Sequence, residues 1–110
     1  MENTTINRVE LKGRVGQDPK IFNVGDSRVA RFSVATNETY HDRKGDIREE
    51  TTWHSVCVWD GKNIDGFRDI RKGVMISLEG RLRTVRYTTS DGSERHSTEV
   101  VANRLNIVKN

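Results

Sequence analysis

The two tryptophans of the chain lie in one strongly strand-like run, Thr51–Trp59. Because side chains alternate along a β-strand, Trp53 and Trp59 share one face, whereas Val56 and Val58 share the other. The branched residues are expected to pack into a core. The tryptophan face is then either a second buried layer or a surface that binds another molecule.

Further aromatic and basic residues lie near the ends of the neighbouring predicted strands. Tyr40 ends one strand and Tyr87 ends another, and the basic residues near them are Arg43, Lys44, Arg81, Arg83 and Arg86. An unpaired nucleic-acid base can stack its flat face on an aromatic ring while Lys and Arg contact the phosphates. A duplex hides its base faces, so this combination favours a single strand. The alternative is that the tryptophans belong to the core and the arginines form a solvated face.

The sequence has no arrangement typical of an enzyme or a metal site. In an extended strand His54 and Cys57 point to opposite faces, and His41 and His96 lie in predicted loops without ligand spacing. We find no Ser/His/Asp spacing, no glycine-rich phosphate loop and no pair of carboxylates at strand ends around an apolar pocket. We therefore expect neither catalysis nor a bound metal or cofactor.

Five predicted strands would position these side chains. Alternating apolar residues predict them over Ile6–Val15, Arg28–Tyr40, Thr51–Trp59, Val74–Tyr87 and Thr98–Val108. The densely charged segment His41–Glu50 predicts a mobile hairpin loop, and the three-residue spacing of Ile64, Phe67 and Ile70 predicts a short helix. Five strands with one helix between the third and fourth is the order of an oligonucleotide/oligosaccharide-binding (OB) fold, an all-β, five-stranded Greek-key barrel. A small β-sandwich would show the same alternation.

Composition limits the domain further. With 110 residues, 33% of them hydrophobic, the chain can form one small domain with a thin core. Such a domain often gains stability by oligomerising. The formal net charge of +3 permits a polyanionic partner. The single cysteine, Cys57, excludes an internal disulfide, and neither a signal peptide nor a membrane-spanning run is apparent, so we expect a cytoplasmic protein.

Several motifs, in order along nearly the whole chain, resemble those of bacterial and mitochondrial-type single-stranded DNA-binding proteins. The matching stretches are Ile6–Val9, Gly13–Pro19, Phe32–Glu38, Thr52–His54, Arg71–Gly73 and Leu78–Thr84. The resemblance implies a homotetramer that wraps single-stranded DNA without strong sequence preference during replication, repair and recombination. An OB-fold adaptor of a replication or primosome assembly, with weak DNA binding, is the alternative.

The resemblance also implies roles for individual residues. It places stacking aromatics at Tyr40, Trp53, Trp59 and Tyr87, basic backbone contacts at Arg43, Lys72 and Arg86, and a contact between subunits at His54. Tyrosine stands at positions 40 and 87 where tryptophan is usual, and tryptophan stands at position 59 where phenylalanine is usual, so stacking would be redistributed rather than lost. Ser55 replaces a basic residue that is common after the Trp–His pair, which would weaken one phosphate contact.

The resemblance concerns the end of the chain as well. Members of that family commonly continue into a flexible tail with an acidic, hydrophobic tip that recruits other genome-maintenance proteins. This sequence stops at Asn110 without such a tail. Either a tail has been removed, or this is a tailless relative that covers DNA without recruiting those partners. We expect a single OB domain over residues 1–110, located in the cytoplasm with the nucleoid.

Overall fold

Six β-strands and one 3-10 turn make up the fold in a computed structural model that describes residues 4–109. The strands are β1 (Val9–Val15), β2 (Lys20–Val24), β3 (Ser27–His41), β4 (Ile47–Trp59), β5 (Met75–Thr88) and β6 (Glu94–Ile107). The 3-10 turn, Phe67–Asp69, lies between β4 and β5. No helix in the described part of the chain is long and apolar enough to cross a membrane.

Five of the strands close a barrel. They pair in the order β1-β5-β6-β4-β3, and β1 also pairs with β3, with Arg14 opposite Ala35, to complete the ring. Residues 56–58 of β4 pair in parallel with residues 100–102 of β6, and all the other pairings between these six strands are antiparallel. This is the Greek-key OB barrel that the sequence predicted. The short strand β2 pairs with residues 27–31 of β3, along the same edge that β1 contacts at residues 34 and 35.

The barrel core contains the inward-facing residues of each barrel strand. Its buried members include Val15, Val34, Val56, Val58, Ile76, Leu78, Val100 and Leu105. Phe67 and Ile70, from the segment between β4 and β5, pack into the same cluster. Because every second residue of a strand points inward, the residues between them form the outer face of the barrel.

A glycine allows β5 and β6 to approach closely where the barrel bends. The register between these strands shifts between Glu79 and Gly80, which marks a bulge. A Cβ atom added to Gly80 would lie 2.0 Å from the carbonyl oxygen of Val101. Only glycine fits at this position, which is the usual reason for glycine inside a barrel strand.

The prediction of a mobile loop over His41–Glu50 is wrong. Strands β3 and β4 continue into this segment, and His41 pairs with Ile47, so only residues 42–46 form the turn. The carboxylate of Asp42 stabilises that turn by accepting hydrogen bonds from the backbone N–H of Lys44 and of Asp46, both at 2.9 Å, and from Nε of Arg48 at 3.0 Å. Residues 37–51 thus form a two-stranded arm of β3 and β4, and all of them except Asp42 are exposed. Neither face of this arm packs on the core, so neither needs the apolar alternation that predicts a strand.

The helix predicted from Ile64, Phe67 and Ile70 is a single 3-10 turn. Gly66 precedes the turn with a left-handed backbone, at φ 82°, and Ile70 follows it with an extended one. Ile64 instead forms an isolated parallel bridge with Leu105. One turn followed by extended chain is enough to bring Phe67 and Ile70 into the core.

Several strand boundaries also differ from the sequence prediction; β6, for example, begins at Glu94 rather than Thr98. The first strand begins at Val9 rather than Ile6. Ahead of it, the side-chain amide of Asn7 takes the place of a backbone partner, donating to the carbonyl oxygen of Leu82 and accepting from its N–H, both at 2.8 Å. Lys20–Val24, between the first two predicted strands, forms a further strand, β2, which the five predicted strands did not include.

Candidate functional site

The outer face of β4 exposes both tryptophans. Trp53 is 60% exposed and Trp59 is 40% exposed, whereas Val56 and Val58 on the opposite face are buried. The tryptophan face is therefore a surface and not a second buried layer. Exposed indole rings in a barrel wall are available to bind a ligand.

Tyr87 lies on the same face of the sheet. It follows Arg83 by four residues along β5, and Arg83 pairs with Glu99 of β6. The parallel pairing of β6 with β4 puts Glu99 on the face of Cys57, which is also the tryptophan face. Half of Tyr87 is exposed.

An open groove runs along this outer face between the β3–β4 and β5–β6 pairs of strands. The residues that line it include Lys20, Arg31, Ser55, Tyr87, Ser97 and Glu99. The groove thus combines an aromatic ring, cationic side chains and small hydroxyl groups. These are the groups that contact the bases and the backbone of a single-stranded nucleic acid.

A buried carboxylate in the groove holds two arginines, of which Arg31 lines the groove. One oxygen of Glu99 accepts a hydrogen bond from Arg31 at 2.6 Å, and the other accepts one from Arg83 at 2.5 Å. The Glu99 side chain is only 6% exposed, whereas those of Arg31 and Arg83 are 44% and 39% exposed. The hydrogen bond to Glu99 raises the pKa of Arg83. Two guanidinium groups around one carboxylate leave an excess positive charge that faces the solvent.

Cys57 lies beneath these charges and is fully buried. Burial raises the pKa of its thiol, so the thiol is protonated at neutral pH and is a poor nucleophile. Among residues 4–109, no cluster of three or more His, Cys, Asp or Glu side chains could hold a metal ion.

Two loops form the border of the site beside Trp53. A Cβ atom added to Gly16 would lie 2.3 Å from Cζ3 of Trp53 and 2.8 Å from Oγ of Ser33, so the indole packs directly over this glycine. Two residues further along the same loop, the Asp18 carboxylate accepts a hydrogen bond from the backbone N–H of Lys72 at 3.0 Å. The loop that contacts Trp53 thus also holds the segment that carries Lys72.

Other residues predicted for the site lie elsewhere on the two strand arms. Tyr40 is 48% exposed and pairs with Arg48. The odd-numbered residues of β3 share the tryptophan face, so Tyr40 lies on the opposite face of its arm. Arg86 is adjacent to Tyr87 and lies on the opposite face of the β5–β6 arm for the same reason. Arg43 is exposed in the turn at the tip of the β3–β4 arm.

His54 lies on the face of Val56, as its position in the strand predicts. Its Nε2 atom is 2.9 Å from Oγ1 of Thr36 on the neighbouring strand, and the residue is half-buried near the edge of the barrel. The structure thus gathers Trp53, Trp59 and Tyr87 on one face. It does not bring His54, Tyr40 or Arg86 to that face.

Sequence reasoning missed the contribution of Arg31 and Glu99 to the groove. Alternation along the second predicted strand does place Arg31 outward with Ser33. However, Glu99 lies 68 residues away, and only the pairing of β4 with both β3 and β6 brings the two together. No local pattern in the sequence signals that ion pair.

Comparison with known proteins identifies the family. The family described as the single-strand binding protein family matches residues 6–108. The chain belongs to this family. Proteins named single-stranded DNA-binding protein are similar to it: that of Neisseria meningitidis serogroup A is 35% identical over 105 residues, and that of Rhizobium meliloti is 38% identical over 107 residues. These matches cover 94% and 93% of this chain, but only 60% of each relative.

Solved structures of the single-strand binding proteins share the barrel. A Plasmodium falciparum SSB in complex with single-stranded DNA has a TM-score of 0.78 and 32% identity, and the match covers 98% of this chain and 97% of that one. A deletion mutant of the single-stranded DNA-binding protein from Thermus aquaticus has a TM-score of 0.76 and covers 94% of this chain and 51% of that one. Its 22% identity supports the fold alone.

Proposed function

We propose that this member of the family binds single-stranded DNA without sequence preference and protects it during replication, repair and recombination. The observation that carries the proposal is the set of three exposed aromatic rings, Trp53, Trp59 and Tyr87, on one barrel face, with Arg31 and Arg83 between them. Every base has a π face, so stacking on these rings is tolerant of sequence. Nothing in this arrangement requires a chemical step, and we infer a binding protein rather than an enzyme.

The proposed path of the strand follows the groove. Bases stack on Trp53, Trp59 and Tyr87, and the guanidinium groups of Arg31 and Arg83 contact the phosphates. Tyr40, Arg43 and Arg86 contribute only if the strand also passes around the two arms, because Tyr40 and Arg86 lie on their far faces. Lys72 is well placed for a backbone contact, since its loop is tied to the loop beneath Trp53.

Intrinsic tryptophan fluorescence tests this function directly. An unstructured oligothymidine and a duplex of similar length are each titrated at low and at moderate salt. Strong quenching by the single strand alone, persisting at moderate salt, is expected because a duplex cannot offer its base faces to the indoles. Equal, salt-labile binding of both forms, or no quenching, would contradict the proposal and favour an OB-fold adaptor of a replication assembly.

We further propose that the chain acts as a homotetramer in the cytoplasm, on the DNA of the nucleoid. Two features support assembly. Strand β1 pairs with β3 only through Arg14 and Val15, so the edge of its earlier residues is open within residues 4–109. Ile6, just ahead of that strand, is 92% exposed. An open strand edge beside an exposed apolar side chain favours pairing with a second copy.

A further inference from the structure

The short strand β2 exposes more apolar surface than a solvated edge strand requires. Within residues 4–109 it has only β3 as a neighbour in the sheet, and all five of its residues are exposed. Ile21, Phe22 and Val24 are 46%, 47% and 53% exposed. Exposed edge strands usually carry charged residues or proline that prevent association, so an apolar edge suggests a bound partner.

The register of the sheet aligns Phe22 with the proposed site. Phe22 pairs with Val29, and Val29 pairs with Trp59, so the three side chains lie in one row across β2, β3 and β4. Directly paired residues share a face, which puts Phe22 on the tryptophan face. The middle residue, Val29, is buried at 4% exposure, whereas the rings on either side of it are open to solvent. Phe22 and Trp59 are separated by two strand spacings of about 4.8 Å each.

The adjacent row supplies positive charge. Lys20 pairs with Arg31 on the same face, and both line the groove. The edge of β2 therefore repeats the combination found in the groove at Tyr87, an exposed aromatic ring beside cationic side chains. A hydrophobic protein partner would have to cover these charges, whereas a nucleic-acid strand matches both features.

We propose that Phe22 is a further base-stacking position for single-stranded DNA and that Lys20 contacts a phosphate next to it. This inference rests on the proposed function and extends the site beyond Trp59 to the sheet edge. The base after the one on Trp59 stacks on Phe22, and the strand leaves the barrel across β2.

Neighbouring residues of β2 provide a matched test. Phe22→Ala and Ile21→Ala each truncate an apolar side chain of nearly equal exposure, but Ile21 lies on the opposite face of the strand. With an oligothymidine of about 16 nucleotides, the upper end of the site size of one OB fold, Phe22→Ala should weaken binding about 5- to 150-fold. Ile21→Ala should leave the affinity within about twofold of the original. Phe22→Tyr should bind as tightly as the original chain, whereas Phe22→Leu, which has no aromatic ring, should bind as weakly as Phe22→Ala.

Salt dependence separates stacking from charge. Lys20→Gln should reduce the slope of log affinity against log salt by about 0.7, the value for one phosphate contact on a single strand, and Phe22→Ala should leave the slope unchanged. Circular dichroism establishes that each variant is folded. If Phe22→Ala binds as the original chain does, or if it changes the mass in light scattering instead of the affinity, the stacking role is wrong while single-strand binding stands. Failure of the original chain to bind would overturn both proposals.

Discussion

Trp53 carries the strongest expectation for a single side chain. It is 60% exposed, and its indole ring rests over Gly16. Trp53→Ala should weaken binding to oligothymidine by about 1–3 kcal/mol, the contribution of one stacked base. The free energy of unfolding should also fall, by about 1 kcal/mol, because the buried part of the indole loses its packing over Gly16.

Equilibrium titration and chemical denaturation measure the two effects of this change. Trp53→Phe is the matched control, because it keeps an aromatic face and should retain most of the affinity. A folded Trp53→Ala protein with unchanged affinity would remove this residue from the site.

For single residues, the sequence predicts well which face of a strand a side chain occupies, but it predicts poorly which other side chains that residue contacts. Alternation alone gives the common face of Trp53 and Trp59, because side-chain direction in a strand depends only on position. It could not tell whether that face is buried, since burial depends on what packs against it. The pairing of Glu99 with Arg31 requires the register of three strands, and no local pattern encodes it.

The strand arms show the same limit for whole elements. Strands that line the core were predicted because one face must be apolar, and the arm of β3 and β4 beyond the barrel has no such face. Its charged residues therefore resembled a loop. For the segment with Phe67 and Ile70 the sequence predicted more regular structure than is present. Core contacts at a spacing of three residues occur in a single 3-10 turn as well as in a helix.

The turn between β5 and β6 should respond to acid. The Asp91 carboxylate accepts hydrogen bonds from the hydroxyl of Thr89 and from the backbone N–H of Ser93, and the first of these is the main reason that its pKa falls from 3.8 to about 2. The folded state thus favours the charged carboxylate more than the unfolded chain does. The resulting stability is fully present above pH 4 and is lost as the pH falls through about 2.

Thermal melting of Asp91→Asn tests this sign. The variant should melt below the original protein at neutral pH, and the difference should shrink between pH 4 and pH 2. Asp26→Asn, in the turn between β2 and β3, is the control, because the Asp26 carboxylate makes no side-chain hydrogen bond within residues 4–109. A difference that stays constant with pH would mean that the carboxylate charge does not stabilise the β5–β6 turn.

For the whole molecule, closure and association both follow from a small core. Each barrel strand pairs with two neighbours in the five-stranded ring. The weakest pairing is that of β1 with β3, which involves only Arg14 and Val15 of β1. A domain of 110 residues buries a limited apolar area, so surface left open at such a seam favours assembly. The alternation of apolar residues determines the barrel, but it does not determine how many copies of the chain associate at the open edge of β1.

His54 tests assembly without entering the DNA groove. It is half-buried on the face opposite to that of Trp53, with its ring 2.9 Å from the hydroxyl of Thr36. If this region contacts another subunit, His54→Glu places a charge there that must be desolvated, and the mass in light scattering should shift toward smaller species. His41→Glu, at the exposed end of β3, introduces the same charge away from the barrel and should leave the mass unchanged. An unaltered mass for the folded His54→Glu protein would place the subunit contacts elsewhere, with the open edge of β1 as the next surface to examine.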